Sequence, residues 1–271
     1  MKVRREDVEK VIEGLRELGG VEESPPPGVK ARFKFKGGVV NVYGTGSITV
    51  GGKERESALK AVEAAVSKAV KRELPVVGCD EAGKGELFGP LVVACVWADE
   101  ECYRELLKLG VKDSKRIKRE KLEELADKIK RVCRGRVRVL MPAEYNALYE
   151  KFKNQNRLLE AVYLELLREL LKKRGAKEVV IDKFSPRIGE LASRELKVPV
   201  KAVKGGEDEP VVAAAAIVAK AERLKRMREL SNLLGRELPE GNAGSLEFLK
   251  ELPKELKHRF VKEHFKSGEE E

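Results

Sequence analysis

The sequence predicts an α/β protein in two parts: a small α+β unit over residues 1–72 and a larger α/β unit over residues 73–271. Three observations predict it. Strict period-two alternation, flanked by two amphipathic helical stretches, fills the N-terminal quarter. Apolar strand-like runs then alternate with helical stretches, as in a layered α/β fold. Between the two lies "KRELP", residues 71–75, a short polar connector. At 271 residues the chain is long for one hydrophobic core and sufficient for two.

Residues 4–18 place Val8, Val11, Ile12, Leu15 and Leu18 on one helical face, and Gly19-Gly20 ends that helix. "SPPPG", 24–28, is a stiff connector. "KARFKFKGG" alternates Lys30, Arg32, Lys34 and Lys36 with Ala31, Phe33 and Phe35, a strand with one cationic and one apolar face. "VVNVYGTGSITVGG" continues as two short strands around Gly44-Thr45-Gly46. With Val40, Val42, Ile48 and Val50 inward, Asn41, Tyr43, Ser47 and Thr49 share the outer face. A helix over 55–72 turns Leu59, Val62, Val66 and Val70 inward. The unit therefore reads α-β-β-β-α, with helices on one sheet face and the other face open. Four alternating cations without an intervening acid point to contact with a nucleic-acid backbone. A merely solvated face is the alternative.

In the larger unit, residues 76–99 read as two apolar strands joined by a glycine-rich turn. Helices follow over 101–110 and 117–132, then a strand over 135–143. One long helix over 144–174 carries Leu158, Leu159, Val162, Leu166 and Leu170 as its stripe. A buried strand runs through "VVI" to Asp182. The helix over 211–227 is small and apolar in its first half, which suits packing on several sides. A basic helical tail covers 246–266.

Hydrophobic content is ordinary at 42%, but charged residues reach 38%, well above the usual quarter. Gln155 is the only glutamine. Lysine and glutamate richness with few thermolabile amides resembles a thermophile's protein. The net charge of +10 fits a polyanionic partner or simply a charge-laced surface. Of the four cysteines, Cys79 and Cys95 sit in apolar runs and read as small core hydrophobes, and there is no CxxC pair. Structural zinc is not expected, and a reducing cytoplasm is. The charged N-terminus and the absence of any run of membrane-spanning length fit a cytoplasmic monomer with no membrane and no obligate protein partner.

Acidic residues gather where apolar elements meet loops. Asp80 and Glu81 end the first strand of the larger unit, Asp182 ends a later one, and Glu207, Asp208 and Glu209 precede Pro210 at the start of the small-residue helix. An acid at a helix start usually caps it, and one at a strand end usually begins a turn. Three such clusters together favour a cation held by oxygen ligands, Mg²⁺ or Mn²⁺. Carboxylates beside a phosphate-binding surface are the equipment of two-metal phosphodiester cleavage. The turn Gly83-Lys84-Gly85 lets backbone approach a nucleic acid closely. It is not a Walker A loop, which needs GxxxxGK[ST].

"DEAGKGELFGPLVVA", "VKDSK" (111–115), "VIDKF" (180–184) and "VVAAAAIVAKAERL" (211–224) together resemble the type 2 ribonucleases H, and more specifically ribonuclease HIII. The DEAG-[RK]-G-x-x-x-GP pattern is long and specific. "EYNALYEKFKNQNRLLEAVY", 144–163, resembles the HIII helix with paired asparagines. Residues 1–72 resemble the TBP-like substrate-binding domain of that family, so the likeness covers essentially the whole chain. It implies an RNase H-like catalytic domain, a mixed sheet flanked by helices, over 73–271. It implies hydrolysis of the RNA strand of RNA/DNA hybrids, leaving 5′-phosphate and 3′-hydroxyl ends, with two Mg²⁺ or Mn²⁺ ions. Asp80 would bridge both ions, and Glu81 and Asp182 would hold the one on the leaving-group side. The fourth acid maps least cleanly: the expected slot falls near Gly206, and Glu207 is preferred over Asp208 and Glu209. The turn Gly83, Lys84, Gly85 would approach the ribose 2′-hydroxyl, which distinguishes RNA from DNA.

Lys115 would contact phosphate, although Asp113-Ser114-Lys115 also suits a helix cap. Asn154 and Asn156 would touch the substrate backbone, or are simply polar residues at a helix start. Lys30, Arg32, Lys34, Lys36 and Tyr43 would contact the hybrid from the N-terminal sheet. His258 and His264 read as packing residues of the tail. Two rivals stand beside this reading: incision at single embedded ribonucleotides, as in ribonuclease HII, and nucleic-acid binding without catalysis. Lys84, where HII enzymes carry arginine, and the N-terminal unit argue against the first. Acids at three strand or helix ends argue against the second.

Overall fold

Two sheets organise the molecule. A computed structural model describes residues 1–69, 73–111, 119–241 and 244–266, without the side chains of Ser67, Glu207 and Lys266. Lys115, with the rest of 112–118, and Val70 therefore lie outside the described residues.

The first sheet is antiparallel in the order β1 (Val21–Glu23), β2 (Ala31–Phe35), β3 (Gly38–Val42), β4 (Ile48–Gly52). Helices α1 (Val8–Glu17) and α2 (Arg55–Ala69) cover one face. Alternation does what the sequence predicts: Ala31, Phe33, Phe35, Val40, Val42 and Ile48 are buried against Val11, Leu15, Val62 and Val66. Two expectations need correction. β1 was not expected, and it places Glu23 directly across from Arg32. The cationic row thus has an intervening acid: Glu23 lies 3.0 Å from Arg32 and 3.8 Å from Lys34. Lys36 lies outside β2, in the β2–β3 turn with φ of 51°, so it does not extend the row.

The second sheet is mixed, in the order β7-β6-β5-β8-β9. β5 (Val76–Ala82), β6 (Leu91–Ala98) and β7 (Arg134–Leu140) run antiparallel, while β8 (Glu178–Asp182) and β9 (Val200–Val203) join parallel to β5 and to each other. On one face Val76, Val92, Ala94 and Val96 pack with α3 (Glu100–Leu109), α4 (Arg119–Val132) and α8 (Pro210–Leu234). On the other, Val77, Leu91 and Val93 pack with α5 (Pro142–Phe152), α6 (Gln155–Lys173) and α7 (Ile188–Leu196). A Cβ on Gly78 would come within 2.3 Å of the Val211 carbonyl carbon. Glycine there is what lets the start of α8 press onto β5. The tail forms α9 (Ser245–Glu251), α10 (Lys254–Phe260) and a 3-10 turn.

The expected long helix over 144–174 is two helices. Lys153 takes a left-handed conformation, and Asn154 begins α6 by accepting a hydrogen bond from the Arg157 amide at 3.1 Å. The cysteine reading is also corrected. Cys79 and Cys95 face each other across β5 and β6 and form a disulfide, and Cys102 on α3 is joined to Cys133 beyond α4. These close loops of 16 and 31 residues, each worth roughly 3–4 kcal/mol by restriction of the unfolded chain.

Candidate active site

The acids converge because of strand register. β5 and β8 are parallel neighbours with Cys79 beside Ile181, so Asp80 and Asp182 reach the same sheet edge together. Side chains alternate along a strand. Glu81 therefore turns toward α6, where it accepts a short hydrogen bond from the Tyr163 hydroxyl. Asp80 turns toward α8, with its Oδ1 2.8 Å from the Glu81 amide. Asp182 Oδ1 accepts from the Gly206 amide at 3.0 Å. Gly206 opens a 3-10 turn through Asp208, so the Glu207 backbone lies one residue from Asp182's partner. Asp208 and Glu209 point elsewhere: Asp208 pairs with Lys2 at 2.8 Å, and Glu209 lies 3.6 Å from Arg4.

Tyr163 supports Glu81 from α6. Burial first, then the charges of Glu81, Asp80 and Asp182, push its hydroxyl well above the usual tyrosine range. Burial also pushes the Glu81 carboxyl up to about 7, against the pull of Tyr163 and Lys84, while nearby Asp182 adds to the rise. Among the described residues, no three acids close on a single point as a ready-made ligand set. Each acid is instead turned to a hydrogen-bond donor. The donor set is all oxygen and strongly anionic in a partly buried position, which fits a hard divalent cation.

The glycine turn is held from several sides. A Cβ on Gly83, where φ is 88°, would lie 2.4 Å from the Pro90 carbonyl oxygen, whereas a Cβ on Gly85 meets nothing within 4 Å. Gly83 is thus required by the turn, and Gly85 leaves open space beside Lys84. Gln155 donates to the Lys84 carbonyl at 2.7 Å and to the Tyr145 hydroxyl at 3.0 Å. Lys84 Nζ donates to the Phe184 carbonyl at 3.3 Å and lies 5.2 Å from that ring's centre. Behind the turn, buried Arg223 donates to Glu86 and to the Phe88 carbonyl, and buried Lys262 donates to the Gly89 carbonyl. Buried Glu160 accepts from Ser185 at 2.6 Å and pairs with Arg187, which fixes the loop leaving Asp182.

Sequence reasoning missed Tyr163, Gln155, Phe184 and Glu160. Tyr163 follows Leu159 by one helical turn on the buried side of α6, and nothing local in the sequence set it apart. Gln155 stood out only as the sole glutamine. Asn154 serves as the α6 cap, and Asn156 lies in the first turn of that helix. Lys30, which pairs with Glu9, and Arg32, Lys34, Lys36 and Tyr43 all belong to the other sheet's unit. His264 packs among Tyr145, Tyr149 and Phe265, and His258 is exposed on α10.

A family model for ribonuclease HII matches residues 77–267. Ribonuclease HIII of Aquifex aeolicus is 33% identical over 269 residues, covering 98% of each chain. A crystal structure of Aquifex aeolicus RNase H3 superposes with a TM-score of 0.63 at 30% identity, over 98% of this chain and 99% of that one. Bst-RNase HIII in complex with Mn²⁺ shares the fold, with a TM-score of 0.66 at 24% identity over 97% of this chain and 94% of that one. With a specific glycine turn, converging acids and full-length likeness in agreement, the chain belongs to the ribonuclease HIII family and is an endoribonuclease of RNA/DNA hybrids.

Proposed function

We propose that Asp80, Glu81, Asp182 and Glu207 hold a pair of Mg²⁺ or Mn²⁺ ions and that this set cleaves the RNA strand, leaving 5′-phosphate and 3′-hydroxyl ends. The observation that carries the reading is the β5–β8 register, which brings Asp80, Glu81 and Asp182 to the same end of the sheet, with Tyr163 on Glu81 and the Gly206 amide on Asp182, beside an open glycine turn. Two such ions, when bound, supply an activated water and neutralise charge on the leaving oxygen. Asp80, at the end of the central strand β5 beside β8, would be a ligand of the pair. Tyr163 keeps Glu81 at a fixed angle. The Gly83–Gly85 backbone faces the RNA strand, where a 2′-hydroxyl gives a partner that DNA lacks, and Lys84 offers a cation to the adjoining phosphate. Glu207 is preferred to Asp208 and Glu209 because the latter two are engaged with cations of the N-terminal unit.

We place the N-terminal sheet, residues 1–72, as the hybrid-gripping domain of a monomeric cytoplasmic enzyme. Arg32, Lys34 and Asn41 lie on its open face. No helix among the described residues is long and apolar enough to cross a membrane. Two disulfides in a cytoplasmic protein are in keeping with the thermophile-like composition, since intracellular proteins of hyperthermophiles are disulfide-rich.

Lys84→Ala separates substrate placement from metal binding. The variant loses roughly tenfold to a hundredfold in kcat/KM through misplacement of the RNA strand. Lys84 also pulls the Glu81 carboxyl down, so its removal raises that group further above about 7. A carboxyl that holds its proton competes with metal. Mn²⁺ affinity therefore rises with pH along a curve displaced upward in the variant, and above the transition the variant, having lost a cation beside the acids, binds Mn²⁺ at least as tightly as wild type. Calorimetric titration across pH, with cleavage at saturating metal, checks this. Full rescue of cleavage by excess metal would assign the lysine to the metal site instead.

A further inference from the structure

The first residues of the chain reach the active-site scaffold. Met1–Val3 lie along the start of β4: the Ile48 amide donates to the Met1 carbonyl at 2.8 Å, and the Val3 amide donates to Gly46 at 2.9 Å. Val3 is buried, and Lys2, opposite Ser47 in this short pairing, reaches away from that core. Its Nζ meets Asp208 Oδ1 at 2.8 Å. Two residues on, the Arg4 Nε is fixed by the fully buried carboxylate of Asp7 at 2.7 Å, and its Nη1 lies 3.6 Å from Glu209. Arg4 and Glu209 are both mostly buried, so their pair is screened less than an open surface pair, whereas in the Lys2–Asp208 pair only the lysine is buried and Asp208 is 44% exposed.

Asp208 and Glu209 belong to the segment that begins at Gly206. At its start, the Gly206 amide holds Asp182. At its end, the Glu209 carbonyl accepts from the Val212 and Ala213 amides at the head of α8. Left unpaired, consecutive acids here would repel one another and Asp182. Cations from the N-terminal unit meet two of them and leave the backbone of the segment fixed against Asp182.

We propose that Lys2 and Arg4 are positioning residues of the active site, pinning the Gly206–Glu209 segment so that Asp182 is held for metal binding. The N-terminal unit then has a second task besides gripping substrate: it completes the support of the acid cluster. This rests on the reading of Asp182 as a metal ligand, and the test keeps the two apart.

Mn²⁺ binding to the full chain is measured by calorimetry without nucleic acid, for wild type, Lys2→Glu, Asp208→Lys and the double exchange. Lys2→Glu adds negative charge near the acids, so a field effect alone would tighten Mn²⁺ binding. Loss of positioning weakens it. The expected result is binding weaker by about threefold to tenfold in Lys2→Glu, an effect between that of an ordinary ion pair and that of a metal site's outer partner. Asp208→Lys also weakens binding, and the double exchange returns it to within about twofold of wild type. Unchanged or tighter binding in Lys2→Glu, or a double exchange no better than either single change, overturns the proposal. Should a reversal variant fail to fold, Lys2→Met and Lys2→Arg carry the test: Met weakens binding and Arg preserves it, and equal affinities overturn the role. A wild-type chain that binds no Mn²⁺ would overturn the metal-site reading itself, and this role with it.

Discussion

Asp80→Asn abolishes cleavage for practical purposes, lowering the single-turnover rate on a continuous RNA/DNA hybrid by three orders of magnitude or more, about 4 kcal/mol of barrier. Hybrid binding measured in Ca²⁺ stays within about threefold, because the phosphate contacts that dominate affinity lie elsewhere. The asparagine keeps an oxygen able to accept from the Glu81 amide, as Asp80 Oδ1 does at 2.8 Å, so the end of β5 keeps its shape. What it loses is the negative charge offered to the metal. A variant that retains Mg²⁺-dependent cleavage near the wild-type rate would sink the assignment. Glu207→Gln, Asp208→Asn and Glu209→Gln in the same assay give one large loss, at Glu207. The other two act through ion pairs with the N-terminal unit, among them those with Lys2, Arg4 and Arg5, so their losses are smaller.

Removing residues 1–72 has the second largest effect. Hybrid affinity falls by about two orders of magnitude, seen mainly as raised KM, because the cationic strand face and its neighbours are gone. The mixed sheet, its helices and every candidate acid lie beyond residue 72; the layer against α5, α6 and α7 is built there alone, while the layer against α3, α4 and α8 is continuous with the N-terminal core, so a folded remnant of reduced stability is expected. The salt dependence of binding flattens, but by less than four cations alone would give at roughly −0.9 per phosphate contact. Glu23 already engages Arg32 and Lys34, Glu9 engages Lys30, and Lys36 sits in a turn. Binding by the truncated enzyme across a salt titration checks this. Unchanged affinity and slope would mean that the sheet face is only solvated and that the catalytic unit grips hybrid alone. Loss of Lys2 and Arg4 adds a higher Mn²⁺ requirement to the same truncation, separable by raising metal at fixed salt.

Much of this was legible in the residues. Apolar alternation placed β2, β3 and β4 and their buried faces. The run from Val76 to Val96 gave the two strands that flank the glycine turn, and its motif pointed to the family. Short edge elements escaped: β1 is three residues with two acids, and β9 is four residues with a lysine inside, too little for a period to show. The break between α5 and α6 escaped because an asparagine within a helical pattern reads as tolerated until its side chain is seen capping. The disulfides escaped because cross-strand register, not spacing, sets Cys79 opposite Cys95. In the site, the strand-end acids were readable from their position after apolar runs. Their supports were not, since Tyr163 meets Glu81, Gln155 meets Lys84 and Lys2 meets Asp208 only across long stretches of chain. Such contacts follow from tertiary packing and carry no local signature.

The central claim is that converging carboxylates beside an RNA-reading turn cleave the RNA strand of a hybrid. The most direct measurement maps the products made by the full chain from a continuous RNA/DNA hybrid and from a DNA duplex holding one ribonucleotide, with and without Mg²⁺ or Mn²⁺. The account predicts many cuts along the RNA of the continuous hybrid, each with a 5′-phosphate and a 3′-hydroxyl, an intact DNA strand, and little or no incision of the second substrate. Metal-independent cutting, cutting of the DNA strand, or incision confined to the single ribonucleotide would contradict it.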